Sequence, residues 1–249
     1  MSSVLSTISL LAGLLALVRS TWERRAANRL PIVDLLRDRF SSPQFSPILI
    51  GFATGTIVVL GPFGLSLGLG WVQPHPVGDI TGNALFLGLT TILIKMVWAA
   101  IEELIFRGAL LPQLSKLTNG LVGLAVSSLL FTWGHLERQG ARAPDILSLL
   151  VFGLDGAGFG IAYLATRNLW MPTIWHAAKN IWVWLLFSES TLQLTRGIFQ
   201  ASYSGPPLWV GASNQAGLLD VVVSFVTVAL LATIYRRQLV QGVEWIKSQ

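Results

Sequence analysis

The sequence predicts an all-α, polytopic transmembrane helix bundle of about seven spans. Three observations carry that expectation. Hydrophobic residues make up 53% of the 249 positions and charged residues only 12%, where soluble chains carry roughly 25% charge. Mean hydropathy is +0.64. The apolar residues also fall in runs of the length a spanning helix needs, about 20 residues. Too few polar residues remain to cover a water-facing surface, so much of the surface faces lipid.

In chain order the apolar segments are 3–18, 46–71, 82–106, 119–136, 145–166, 171–188 and 216–235. The first is short and lacks the basic start of a signal peptide, so it reads as a helix. Residues 1–45 form an N-terminal helix and a basic segment, and 46–249 a membrane-embedded domain. Arg19, Arg24, Arg25, Arg29, Arg37 and Arg39 crowd the segment after the first helix. Beside membrane spans such a cluster marks the cytoplasmic side next to anionic lipid rather than a nucleic-acid surface. Lys116, Arg167, Arg236 and Arg237 fall on the same side under this alternation; Arg138, Arg142 and Arg196 fall opposite. The bias places the chain in a cell membrane with a cytoplasmic C-terminus. The long loop 189–215, rich in Ser, Gly and Pro, suits a lid or a linker. Gly153, Gly156, Gly158 and Gly160 give the fifth span a small-residue face for close helix packing. The absence of cysteine excludes disulfides, thiolate metal sites and a cysteine nucleophile.

Ionisable residues inside apolar spans point to function. Here they are Lys95, Glu102, Glu103, Arg107, His135, Asp155, His176 and Lys179. Glu103 and Arg107 are one helical turn apart and can pair. Glu102 faces about 100° away, with Phe106 one turn on, so no cation meets it there. Spans three and four form a hairpin turning near residues 117–119. Glu102 lies 15 residues before 117 and His135 lies 16 after 119. Both then sit roughly 22–24 Å from the turn and face each other at one level. His176 and Asn180 share a face of the sixth span. One carboxylate, two imidazoles and an amide supply what peptide hydrolysis requires: a carboxylate and a His to hold and deprotonate water, and a His and an Asn to donate to an oxyanion. Lys95, Asp155 and Lys179 read as charge neutralisation rather than catalysis: Lys95 lines the cavity or snorkels, and Asp155 pairs with Lys95 or Lys179 or reaches an outside cavity. Asp220 suits the first turn of the last helix, where a carboxylate meets the helix dipole. His75 reads as a bystander, and Trp133, Trp175, Trp182 and Trp184 as packing and interface anchors.

Three motifs follow in order on three spans: E-E-x-x-x-R at Glu102–Arg107, F-x-x-x-H at Phe131–His135 and H-x-x-x-N at His176–Asn180. With the phrase FRGALLPQL after the glutamates, residues 84–187 resemble the CPBP family of intramembrane proteases, which takes in CAAX-prenyl endopeptidases, bacteriocin-processing enzymes and abortive-infection proteins. The resemblance implies an intramembrane catalytic cavity. In it Glu102 and His135 activate water, His176 and Asn180 line the oxyanion site, and Glu103 and Arg107 support and orient the others. It also implies a peptide or protein substrate, with or without a lipid anchor, drawn from the membrane. A metal-free glutamate mechanism and a zinc site of His135, His176 and Glu102 both stay open. No H-E-x-x-H pair on one helix face favours the metal, while two His and a carboxylate are a known catalytic zinc set. The rival to an endopeptidase is a non-catalytic immunity or scaffold protein that binds peptide in the same cavity. A proton-coupled transporter ranks below both, because the halves show no internal symmetry.

Overall fold

The computed structural model describes residues 36–41, 45–77, 82–136, 145–187, 197–212 and 215–248. The expected helix at 3–18 and the arginines before residue 36 lie outside them. The elements run α1 (Phe45–Gly68), β1 (Val72–Pro76), α2 (Gly82–Glu103), a π-helical stretch (Leu104–Leu110), α3 (Leu111–Leu117), α4 (Gly120–Leu136), α5 (Ile146–Thr166), α6 (Trp170–Phe187), β2 (Phe199–Tyr203), α7 (Pro207–Val210), α8 (Leu218–Ile234) and α9 (Arg236–Ser248).

Among the described residues, three helical stretches are long and apolar enough to cross a membrane: Phe45–Gly68, Leu85–Leu117 and Ile146–Thr166. Leu218–Ile234 with Arg236–Ile246 makes a fourth if that pair, bent by 79°, counts as one span. This is fewer than the seven expected. Gly120–His135 is apolar but shorter, and α6 carries His176, Lys179 and Asn180 along its 18 residues. The third segment is also longer than expected. It continues as helix through the charged motif to Leu117, because Arg107 is neutralised from within.

The wide turn in that stretch has a local cause. Pro112 has no N–H to return to Gly108, which loosens the hydrogen-bond ladder ahead of it. The Leu111 N–H instead reaches five residues back, to Phe106 O, the mark of a π turn. At the hairpin, the Asn119 side chain accepts from the N–H groups of Leu121 and Val122, both at 3.0 Å. These are donors that the start of α4 would otherwise leave open. Asp145 does the same for α5 by accepting from the Ser148 N–H at 2.8 Å. α5 ends at Arg167, which takes the left-handed conformation (φ 53°). The turn that follows is clasped by an upstream segment: the Leu169 N–H donates to Arg39 O, and the Arg39 guanidinium donates to the Tyr163 hydroxyl at 2.8 Å. That clasp aims α6 back through the bundle.

Small residues bring the helices together. Gly51 and Gly55 of α1 lie against the backbone of α6 at Met171 and Trp175, and Gly156 of α5 lies against Ser128 of α4. Gly158 and Gly160 admit Trp175 and Leu124. The core that results is aromatic, with Phe106, Phe131, Phe159 and Trp175 at its centre.

One element corrects the all-α expectation. β1 and β2 pair antiparallel, with Val72 opposite Tyr203 and Pro76 opposite Phe199. Pro74 and Pro76 cannot donate, which hid a strand that is tolerable only at an edge. Its partner lies more than 120 residues away, beyond the reach of local pattern. Over the same side lies α7, in the loop expected to be a lid or linker.

The α1–α6 contact yields a stability prediction. Gly55→Val forces a side chain into the Trp175 backbone and the Ala178 side chain, an overpacking cost of about 1–3 kcal/mol. It lowers the thermal midpoint in detergent. Gly64→Ala, where a Cβ meets nothing within 4 Å, does not.

Candidate active site

Arg107 anchors the site. It is fully buried and pairs with Glu103 Oε1 at 3.0 Å. A second guanidinium nitrogen donates to Gly156 O on α5 at 2.8 Å. Three rings surround it, Phe131 at 4.5 Å, Phe159 at 5.1 Å and Phe106 at 5.7 Å from the guanidinium carbon to each centroid, within the range of cation–π attraction. The small-residue face of α5 thus does more than pack, since Gly156 presents a carbonyl to the charge.

Glu103 Oε1 also meets His176 Nδ1 at 2.9 Å, so one carboxylate joins the first motif to the third. Sequence spacing gave Glu103 only the Arg107 partner. Its second contact requires α6 to lie beside α2, and no local signal records that. His176 is 2% exposed and stacks on Phe159, 17° between planes at 4.9 Å.

Glu102 is 4% exposed. Its Oε2 lies 3.7 Å from His135 Nε2 and 3.5 Å from His176 Nε2. The two arms of the hairpin therefore bring Glu102 and His135 together, and α6 adds His176. On its own helix Glu102 has a partner that spacing toward Arg107 passed over. The Trp98 indole N–H, one turn before, donates to Glu102 Oε1. A tryptophan four residues ahead of a buried carboxylate was the available sign.

The hydrogen bonds of the two imidazoles fix which nitrogens face inward. His135 Nδ1 lies 2.9 Å from Phe131 O, and a carbonyl only accepts, so Nδ1 carries the proton. His176 Nδ1 donates to Glu103 by the same logic. In their neutral forms both rings then point an Nε2 lone pair at the Glu102 carboxylate. Three acceptors converge, with ligand atoms all within 4.8 Å of one another. Such an arrangement is stable only with hydrogen or a cation between them: a water, a proton or a metal ion. The groups fit zinc in number and kind, and hydrogen bonding of each outer nitrogen is how metal-bound imidazoles are oriented.

Glu102, His135, Lys179 and Asn180 line a pocket of about 610 Å³. Val58, Phe63, Val151 and Phe187 supply apolar wall, and Tyr203 and Trp209, from β2 and α7, reach its rim. Asn180 follows His176 by one turn of α6, as its spacing implies. Of the other charges, half-buried Lys179 pairs with buried Asp155, and buried Lys95 lines the pocket. Asp220 accepts from the Gly217 N–H at 2.8 Å and caps α8. His75 lies in β1 against Ser202, exposed and away from the site.

The Arg107 contacts predict a large stability effect. Arg107→Leu strands a buried Glu103 carboxylate, a loss of about 3–5 kcal/mol read as a drop in thermal midpoint. Adding Glu103→Gln recovers part of it.

No curated protein and no solved structure matches the chain. A family model does: residues 81–182 match Type II CAAX prenyl endopeptidase Rce1-like. With its apolar helices of spanning length, the chain is a transmembrane protein, and its segment 81–182, from α2 into α6, is similar to this CAAX protease family.

Proposed function

We propose that the protein is an intramembrane endopeptidase that hydrolyses a peptide bond of a membrane-associated protein or peptide. The observation that carries this is the convergence of Glu102, His135 and His176, the first two at the wall of a pocket with much apolar lining. Glu102 takes a proton from the water held between it and the imidazoles. The hydroxide attacks the scissile carbonyl, the Asn180 amide donates to the oxyanion, and the proton passes from Glu102 to the leaving amine. His135, fixed by Phe131 O, holds the water with Glu102. His176 was expected to donate to the oxyanion. With Nδ1 given to Glu103 and Nε2 facing Glu102, both its nitrogens are turned to carboxylates, so in this proposal His176 acts with the water-holding groups.

The same three residues would hold a zinc ion, and zinc there would acidify its bound water. Every other role is that of the side chains just named. The apolar wall suits a lipid-bearing or hydrophobic segment, in keeping with the prenylated substrates that the matched family's description names.

Glu102→Gln and His135→Ala abolish cleavage of a prenylated peptide by purified, reconstituted protein. Glu103→Gln keeps an acceptor for His176 and loses roughly 10- to 100-fold. Comparison of protein termini in membranes of cells carrying wild type or Glu102→Gln identifies the substrate. A binding protein without catalysis keeps its cellular function in Glu102→Gln, and that result, or full cleavage by His135→Ala, would overturn the proposal. Elemental analysis of the purified protein, with activity before and after chelation, decides between water alone and zinc-bound water.

A further inference from the structure

We infer that Lys179 is a catalytic residue of the proposed hydrolysis, supplying the fixed positive charge over the oxyanion. The inference rests on the endopeptidase reading of the site and adds a group that neither the three motifs nor the family match assigns.

The need for such a group follows from the hydrogen bonds of His176. Its Nδ1 is committed to Glu103 and its Nε2 faces Glu102, so both ring nitrogens are turned to carboxylates and neither is left for a substrate. Asn180 alone is then left of the two expected donors. A developing oxyanion calls for more, since it is stabilised by donors and charge set in place beforehand.

Lys179 stands where that charge is wanted. It lies three residues after His176 and one before Asn180, and side chains three and four positions apart are neighbours on a helix. It lines the same pocket as Glu102, His135 and Asn180. Phe152 ties it to the site across α5: the ring lies 5.2 Å from the His135 ring and 5.9 Å from the Lys179 ammonium. The ammonium is held by Asp155 Oδ2 from α5. The other Asp155 oxygen is buried with no hydrogen-bond partner in the structure, so the carboxylate holds the lysine by one oxygen only. An ammonium has three N–H donors, and one contact to Asp155 leaves others for the pocket. The carboxylate thus acts as a tether that fixes the cation. Asp220, which lies close enough to act electrostatically on this pair, is engaged by the Gly217 N–H.

The competing role is neutralisation of Asp155, and a double variant separates the two. The probe is a quenched fluorescent peptide ending in a prenylated cysteine and three further residues, cleaved by reconstituted full-length protein. Lys179→Met is expected to lose about 100- to 1,000-fold in kcat with KM nearly unchanged. Lys179→Arg recovers much of the loss. Lys179→Met with Asp155→Leu removes both charges, restores any lost thermal stability and stays as slow as Lys179→Met. Recovery of wild-type kcat by the double variant would show that the lysine only neutralises Asp155 and would overturn the inference. So would a folded Lys179→Met with wild-type kcat. If wild-type protein cleaves nothing while the terminus comparison is also silent, the endopeptidase reading itself fails, a distinct result.

Discussion

The guanidinium of Arg107 is the constraint on which the rest depends. A fully buried cation is tolerated only if its charge and donors are met, and here α2, α5 and the aromatic core each meet part of the demand. Glu103 neutralises it, the Gly156 carbonyl accepts from it, and Phe106, Phe131 and Phe159 face it. Because Glu103 also holds His176, and Phe131 and Phe159 pack on the two imidazoles, meeting the needs of one buried charge sets the orientation of both histidines. The groups proposed to react are thus backed by side chains whose own geometry is fixed, the condition for a site held to the tolerance that catalysis requires.

The second constraint is the pairing of lone pairs. Once Phe131 O and Glu103 take the outer nitrogens, the inner nitrogens of the neutral rings and the Glu102 carboxylate are three acceptors in one small space. That mismatch would be costly in a finished core. It makes sense as a place kept for a molecule or ion that donates, and it is the physical content of the proposal that water is activated there.

The helical elements were legible because apolar runs and charged exceptions are both written locally. The pairing of Glu103 with Arg107 followed from a spacing of four, and the level of Glu102 with His135 from counting out from the hairpin turn. What was not legible was set by neighbours distant in sequence. The Glu103–His176 contact and the choice of Lys179 over Lys95 as partner of Asp155 needed the relative placement of α2, α5 and α6. The β1–β2 pair joined segments whose prolines and loop-like composition argued against strands. The π turn sat in a stretch that reads as ordinary helix, with Pro112 as its only mark. Fewer helices of spanning length stand among the described residues than the seven expected, because apolar composition alone does not distinguish a full span from the shorter α4 or the polar-faced α6, and the first segment lies outside those residues.

The two ion pairs share a feature that bears on biogenesis. Glu103 and Arg107 lie on one helix, and Asp155 and Lys179 lie on α5 and α6, joined by the short turn at Arg167–Leu169. Each of these four charges therefore meets its counter-charge within a single helix or a single hairpin, the units in which a nascent chain enters lipid. Glu102 differs, because it meets His135 and His176 only when three separate helices have assembled. Those four charges can be carried into the bilayer already neutralised, and the Glu102–His135–His176 cluster is the last part to come into being.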